Sequence, residues 1–228
     1  MKHSKKILTV LLAGTLALAL FGACGKENGD DAANTPAIEG GNTVTTPWKS
    51  GDPYPVVTMT IGDNGAFEGG DITIELYPDV APNTVHNFIS LINDGFYVDK
   101  VFHRAVPNFM IQGGSVNGDG MSGGFPYTIK CETSGQGFVQ NDLRHTDGVI
   151  SMAHAGPNTG GSQFFIMTGS APHLDGLHTA FGMVTEGMDV VERIELLPTS
   201  SQALITKPKI AAITVDTFGI EYPAPVKN

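Results

Sequence analysis

The sequence predicts a mainly β protein, a closed antiparallel barrel accompanied by two α-helices, and three observations lead there. Short apolar runs recur between turn-forming residues, only two segments switch to a helical period, and no regular strand–helix–strand alternation runs along the chain. The 29 glycines and 14 prolines, spread among those short runs, suit a loop-rich β architecture. With 41% hydrophobic and 16% charged residues, a chain of 228 can build the core of one domain with appendages.

In chain order, "MKHSKK" is a positive leader and "ILTVLLAGTLALALFGA" an apolar run of seventeen residues. That length is short for a membrane span and fits a secretory signal peptide over residues 1–23. The run ends at Phe21-Gly22-Ala23-Cys24, which resembles a bacterial lipobox, with Phe21 where Leu is commoner. Cleavage there leaves Cys24 as a lipidated first residue, and two acyl chains anchor a protein stably to a membrane. Losing Lys2, Lys5 and Lys6 moves the formal net charge from −10 to −13, so the lipid alone holds this acidic body on the outer side. Cys131 then remains as the sole free thiol, and no intrachain disulfide can form.

Residues 24–53 are rich in Gly, Asn, Asp, Thr and Pro without a hydrophobic period, the composition of a flexible tether. Its reach is about 30 Å on a flexible-chain basis. Trp48 reads as a loop residue there, with packing onto the domain as the alternative. The folded domain spans residues 54–222. "VVTMTI" (56–61) and "DITIELY" (71–77) read as strands joined by a Gly-rich connection. In "APNTVHNFISLINDG" the residues Val85, Phe88, Ile89 and Ile92 share a helical face, with Pro82 in the first turn and Gly95 at the stop. A second helix is predicted at "EGMDVVERIE", and "KIAAITVDTFGI" closes the domain as an alternating strand before a tail at 223–228.

Several chemistries are excluded. A net charge of −10 without a basic run beyond the leader argues against nucleic-acid binding. None of the seven histidines forms a helical His-x3-His pair, and Cys131 has no Cys neighbour, so no metal site is expected. His86 reads as part of a solvated helix face, His145 as a loop residue, and Cys131 as a small buried one. No Gly-x-Ser-x-Gly elbow offers a serine nucleophile. Gly118-x-Gly120-x-x-Gly123 matches a dinucleotide fingerprint by letters, but "FPYTIKCE" follows where that fingerprint needs a helix. No cofactor is implied.

What remains are apolar segments carrying isolated polar groups: "FHRAVPNFMIQGG", "AGPNTGGSQFFI" and "HLDGLHTAFG". Taken singly, Phe109, Met110 and Phe165 would pass as core and Arg104 as an ion-pair partner. Together, over Val56 to Ile220, they resemble the cyclophilins, peptidyl-prolyl isomerases with an eight-stranded antiparallel barrel capped by two helices. The resemblance implies Arg104 as the catalytic cation, with Gln112 and His178 beside it. Phe109, Met110, Phe165 and Leu174 would form the proline pocket, Gln163 would add a polar contact, and Ala153 and His154 would pair with substrate backbone. His154 replaces an Asn usual in the family. His173 stands where cyclosporin-sensitive members carry Trp, so weak cyclosporin binding is expected. His103 faces away from Arg104 by strand period and is assigned no role. The expected partners are proline-containing unfolded or newly exported polypeptides, acted on outside the cytoplasm by a monomer. A non-catalytic proline-binding module, or a holdase, is the competing reading.

Overall fold

Strand alternation sets the first hairpin. In β1 (Val56–Ile61) the side chains of Val57, Met59 and Ile61 are buried, and in β2 (Gly70–Leu76) those of Ile72, Ile74 and Leu76 are. The antiparallel register opposes Val57 to Ile74 and Met59 to Ile72, so both strands present one apolar face to a common core. The computed structural model describes residues 44–121 and 124–228, leaving the expected signal peptide, the expected lipidation site Cys24 and most of the expected tether outside the described residues. Trp48, within the expected tether, stacks on Tyr54 at 5.0 Å and donates its indole N–H to the Asp52 carbonyl.

α1 (Pro82–Asn93) begins with Pro in its first turn, and Gly95, at φ +69, follows its end. Ten of its twelve residues are buried. The face expected to be solvated is covered by non-local chain. Asn83 exchanges hydrogen bonds with the Val226 backbone of the C-terminal tail, and Asn87 donates to the Gly161 carbonyl and accepts from Tyr127 Oη. Glu132 accepts from the first backbone N–H groups of the helix, at Asn83 and Thr84, and from Thr84 Oγ1. Burial pushes its carboxyl up to about 7 against the pull of those donors. His86, read from sequence as solvated, is instead 1% exposed, packed against the Tyr222 ring.

The remaining strands are β3 (Phe102–Val106), β4 (Met110–Gly113), β5 (Val149–Met152), β6 (Phe164–Met167), β7 (Ala180–Glu186), β8 (Thr199–Ser200), β9 (Ala203–Leu204) and β10 (Ile210–Asp216). Helix α2 (Met188–Glu195) follows β7, and all strand pairings are antiparallel. The hydrogen-bonded order is β10-β1-β2-β7-β5-β6-β4-β3-β9-β8. The end strands, β10 and β8, are not joined by a ladder; an isolated Val101–Lys209 bridge links the chain just before β3 to that before β10. The architecture of the described residues is therefore mainly β with two α-helices, but the closed eight-stranded barrel expected from sequence is not what the hydrogen bonds describe. The strand count rises because the segment after α2 folds into its own two-residue hairpin.

The two faces of β4 and β6 serve different purposes. Ile111, Phe164 and Ile166 point into the main core with Phe88, Tyr97, Phe102 and Phe181. Met110, Phe165 and Met167 point the other way, into a second apolar cluster with Val149, Ala171 and Ala180. Gly114, at φ +77, turns the chain after β4; a Cβ there would meet the Ser162 carbonyl at 2.7 Å.

Candidate active site

Register places the polar groups in a row. Arg104 of β3 opposes Gln112 of β4, which opposes Phe165 of β6. Arg104 Nη1 donates to Gln112 Oε1 at 3.1 Å, and Gln112 Nε2 donates to Gln163 Oε1 at 2.9 Å. Gln163 Nε2 donates in turn to the Gly120 carbonyl at 3.3 Å. Because a carbonyl only accepts, this last contact orients both amides and leaves Gln112 presenting oxygen to the arginine.

Beside this row lies a cavity of about 150 Å³ lined by Arg104, Phe109, Met110, Gln112, Ala153, His154, Phe165, Leu174 and His178. Ten of the eleven sequence-predicted positions thus meet in or next to one hollow, since Gln163 is bonded to Gln112. The eleventh, His173, is exposed and stacks on Phe109 at 5.8 Å. A larger cavity of about 340 Å³ adjoins, sharing Gln112, Ala153 and His154 and reaching Phe125 and Tyr127.

Electrostatically the hollow holds a cation among neutral groups. Among the described residues no carboxylate lies within ion-pair distance of Arg104. Partial burial lowers its pKa, but a guanidinium stays protonated regardless. His178 Nδ1 lies 3.0 Å from the Met152 carbonyl and so carries the hydrogen. Burial lowers its pKa, the bond to the Met152 carbonyl opposes that shift, and the nearby His154 and His145 reinforce it; in the neutral ring Nε2 is the acceptor. His154 stacks on His178 at 4.0 Å and is fixed as the Nε2–H tautomer, donating to the Leu177 carbonyl while Nδ1 accepts from the Gly156 N–H.

Sequence reasoning missed the support beneath the pocket. His145, expected in an unremarkable loop, is buried and stacked against Phe165 at 5.9 Å. Its ring bridges Asp175 Oδ1 and Ser151 Oγ, both at 3.0 Å. Burial raises the Asp175 carboxyl, but bonds from the His145 N–H and ring and from Arg144 outweigh it and hold the group below its ordinary value. The aspartate also lies in "HLDG", between the pocket residue Leu174 and a glycine; that adjacency was the available signal. His103 is buried behind the strand, away from the cavity, and Gly120 would clash with it on gaining a Cβ.

A hollow that combines the apolar walls of Phe109, Met110, Phe165 and Leu174 with a cation lacking a carboxylate partner among the described residues suits a ligand that is apolar on one side and develops electron density on the other. Residues 56–215 match the family described as cyclophilin type peptidyl-prolyl cis-trans isomerase/CLD. The chain belongs to that family. Peptidyl-prolyl cis-trans isomerase B of Bacillus subtilis is 51% identical over 127 residues, covering 56% of this chain and 85% of the relative. Peptidyl-prolyl cis-trans isomerase-like 1 of Neurospora crassa is 47% identical over 134 residues, covering 58% and 80%. A crystal structure of a Cryptosporidium parvum cyclophilin superposes with a TM-score of 0.62 at 30% identity over 72% of this chain and 98% of its own. A second structure of it was determined in the presence of the dipeptide Ala-Pro. The cyclophilin described here is a peptidyl-prolyl cis–trans isomerase.

Proposed function

We propose that this isomerase acts outside the cytoplasm, held to a membrane by lipid on Cys24, and that it turns X–Pro bonds of exported polypeptides with Arg104 as its catalytic cation. Phe109, Met110, Phe165 and Leu174 grip the proline ring. Gln112, Gln163 and His178 supply polar contacts, and the Ala153–His154 backbone pairs with the substrate. The observation that carries the site assignment is the guanidinium at the edge of the apolar cavity with no carboxylate partner among the described residues.

The X–Pro bond is held by amide resonance with a barrier of roughly 18–20 kcal/mol, and unaided isomerisation takes about 10–100 s. Twisting the bond localises a lone pair on the prolyl nitrogen. A donor aimed at that nitrogen stabilises the twisted state, and an arginine does so as a pure donor without transferring a proton. Each 1.36 kcal/mol gained there is tenfold in rate. The apolar walls hold the ring while the chain on the other side of the bond rotates.

The test is NMR exchange spectroscopy of an Ala-Pro-Phe peptide with the full chain and with Arg104→Ala. The expected result is strong acceleration by the natural protein and loss of most of it in the variant. Equal acceleration by both proteins would remove Arg104 from the mechanism, and peptide binding without acceleration by either would favour a binding module or holdase. The anchor is tested by mass spectrometry of the natural protein: a diacylglyceryl-modified Cys24 at the mature N-terminus is expected, and an unmodified Cys24 sinks it.

A further inference from the structure

The two-residue turn between β8 and β9 is built from residues that suit it poorly. Thr199 pairs with Leu204 and Ser200 with Ala203, leaving Ser201 and Gln202 as the loop. Both have positive φ, +50° and +71°. A hairpin with left-handed backbone at both central positions favours Asn-Gly, Asp-Gly or Gly-Gly, because a Cβ is strained there. Retaining a long side chain at the second position, where Gly fits best, calls for a use of that side chain.

The contacts of Gln202 supply one. Its Oε1 accepts from Arg104 Nε at 2.9 Å and from Arg104 Nη2 at 2.7 Å. Its backbone carbonyl accepts from the Ala105 N–H at 3.0 Å, docking the turn on β3 beside the arginine. With Gln112 on Nη1, three of the five guanidinium hydrogens go to two glutamine oxygens on opposite edges of the group. Both acceptors are neutral. A carboxylate in place of either would hold the same geometry but compensate the charge that the reaction uses.

We propose that Gln202 is a positioning residue for isomerisation: the strained β8–β9 turn presents its amide oxygen to clamp the Nε–Nη2 edge of Arg104, fixing the guanidinium without neutralising it. This rests on the reading of Arg104 as the catalytic cation. Gln202 itself does not line the cavity, so it acts through the arginine.

The prediction sets stability and rate in opposite directions. In Gln202→Gly the backbone carbonyl bond survives, the left-handed strain is relieved, and the clamp is gone. The thermal midpoint of the full chain should rise by about 2 °C or more. The exchange rate of an Ala-Pro-Phe peptide at saturation should fall about tenfold, with peptide affinity changed less than twofold. Gln202→Ala should show the same rate loss without the rise in midpoint, and Gln202→Glu should fold and bind but lose rate through charge compensation. Arg104→Ala and the double variant Arg104→Ala/Gln202→Gly complete the cycle. No further loss in the double variant is the expected coupling. If Arg104→Ala keeps the natural rate, the reading of Arg104 itself fails. If Arg104→Ala is slow while Gln202→Gly and Gln202→Ala keep the natural rate, only the role given to Gln202 is overturned. Full rate in Gln202→Glu overturns the requirement for a neutral clamp.

Discussion

His86 gives the sharpest stability prediction. It sits on α1, 1% exposed, and neither ring nitrogen has a hydrogen-bond partner among the described residues. Burial lowers its pKa from 6.5 to about 4. A folded pKa below the unfolded one means the native state binds fewer protons, so stability is intact above about 6.5 and is lost as pH falls toward 4. At pH 5 the unfolded ring is charged and the native ring neutral, a gap of about 1.5 pH units, or about 2 kcal/mol relative to pH 7.5 at 1.36 kcal/mol per unit. That is a large share of the roughly 5–15 kcal/mol that holds a domain together. The perturbation is His86→Leu, which removes two unpartnered nitrogens at similar volume and should stabilise the protein at pH 7.5 by about 1–3 kcal/mol. Urea unfolding of both proteins at pH 7.5 and 5.0 reads the rest: the variant's loss on acidification should be smaller by about 2 kcal/mol. Acid losses equal to within about 0.5 kcal/mol would refute the reasoning, because the native ring would then take up its proton as readily as the unfolded one.

Two further predictions separate packing from recognition. Phe165, 5% exposed and stacked on His145, should cost about 3–5 kcal/mol on mutation to Ala. Half-buried Phe109 should cost under about 1 kcal/mol yet weaken peptide binding severalfold, with denaturant titration and NMR titration as the two readouts. His173→Trp, at the exposed position stacked on Phe109, adds an indole donor and aromatic area and should tighten cyclosporin binding by roughly 5–30-fold in calorimetry, worth about 1–2 kcal/mol. No gain would mean that this position does not limit affinity in this chain.

Both helices and the strands with clean alternation were legible because each period reports one buried face. α1 shows where that logic stops. Its apolar face was read correctly, but its polar face is buried by the C-terminal tail at Val226, by Glu132 and by the Gly161 carbonyl, all remote in sequence. Nothing local to His86 announces that cover. His145 was missed for the same reason, since its partner Asp175 lies 30 residues away. The open order of the sheet depends on whether two end strands meet, which no strand's own pattern records. The site positions came from long motif resemblance, and periodicity alone would have left Phe109, Met110 and Phe165 as core. Gln202 carried no signal at all; its meaning lies in a backbone conformation that the letters Ser-Gln do not suggest.

The paired aromatics of β6 show how fold and site are tied to one register. Phe164 packs in the main core against Phe88, Tyr97 and Phe102, while Phe165 faces the pocket. A one-residue slip would exchange faces, and two adjacent phenylalanines would seem to tolerate it. The neighbours do not. Ser162, on the core side, donates to the Gly114 carbonyl and accepts from Tyr97 Oη through its own carbonyl, while Gln163, on the pocket side, continues the amide chain to Arg104. Slippage would drive the Gln163 amide among buried aromatics without partners and withdraw it from Gln112, losing an unpaired polar group to the core and the arginine's orientation at once. β6 is also held from both sides, by β4 through Met110–Met167 and by β5 through Ile150–Ile166. The polar residues flanking the Phe pair, more than the aromatics themselves, therefore select the register that makes a pocket.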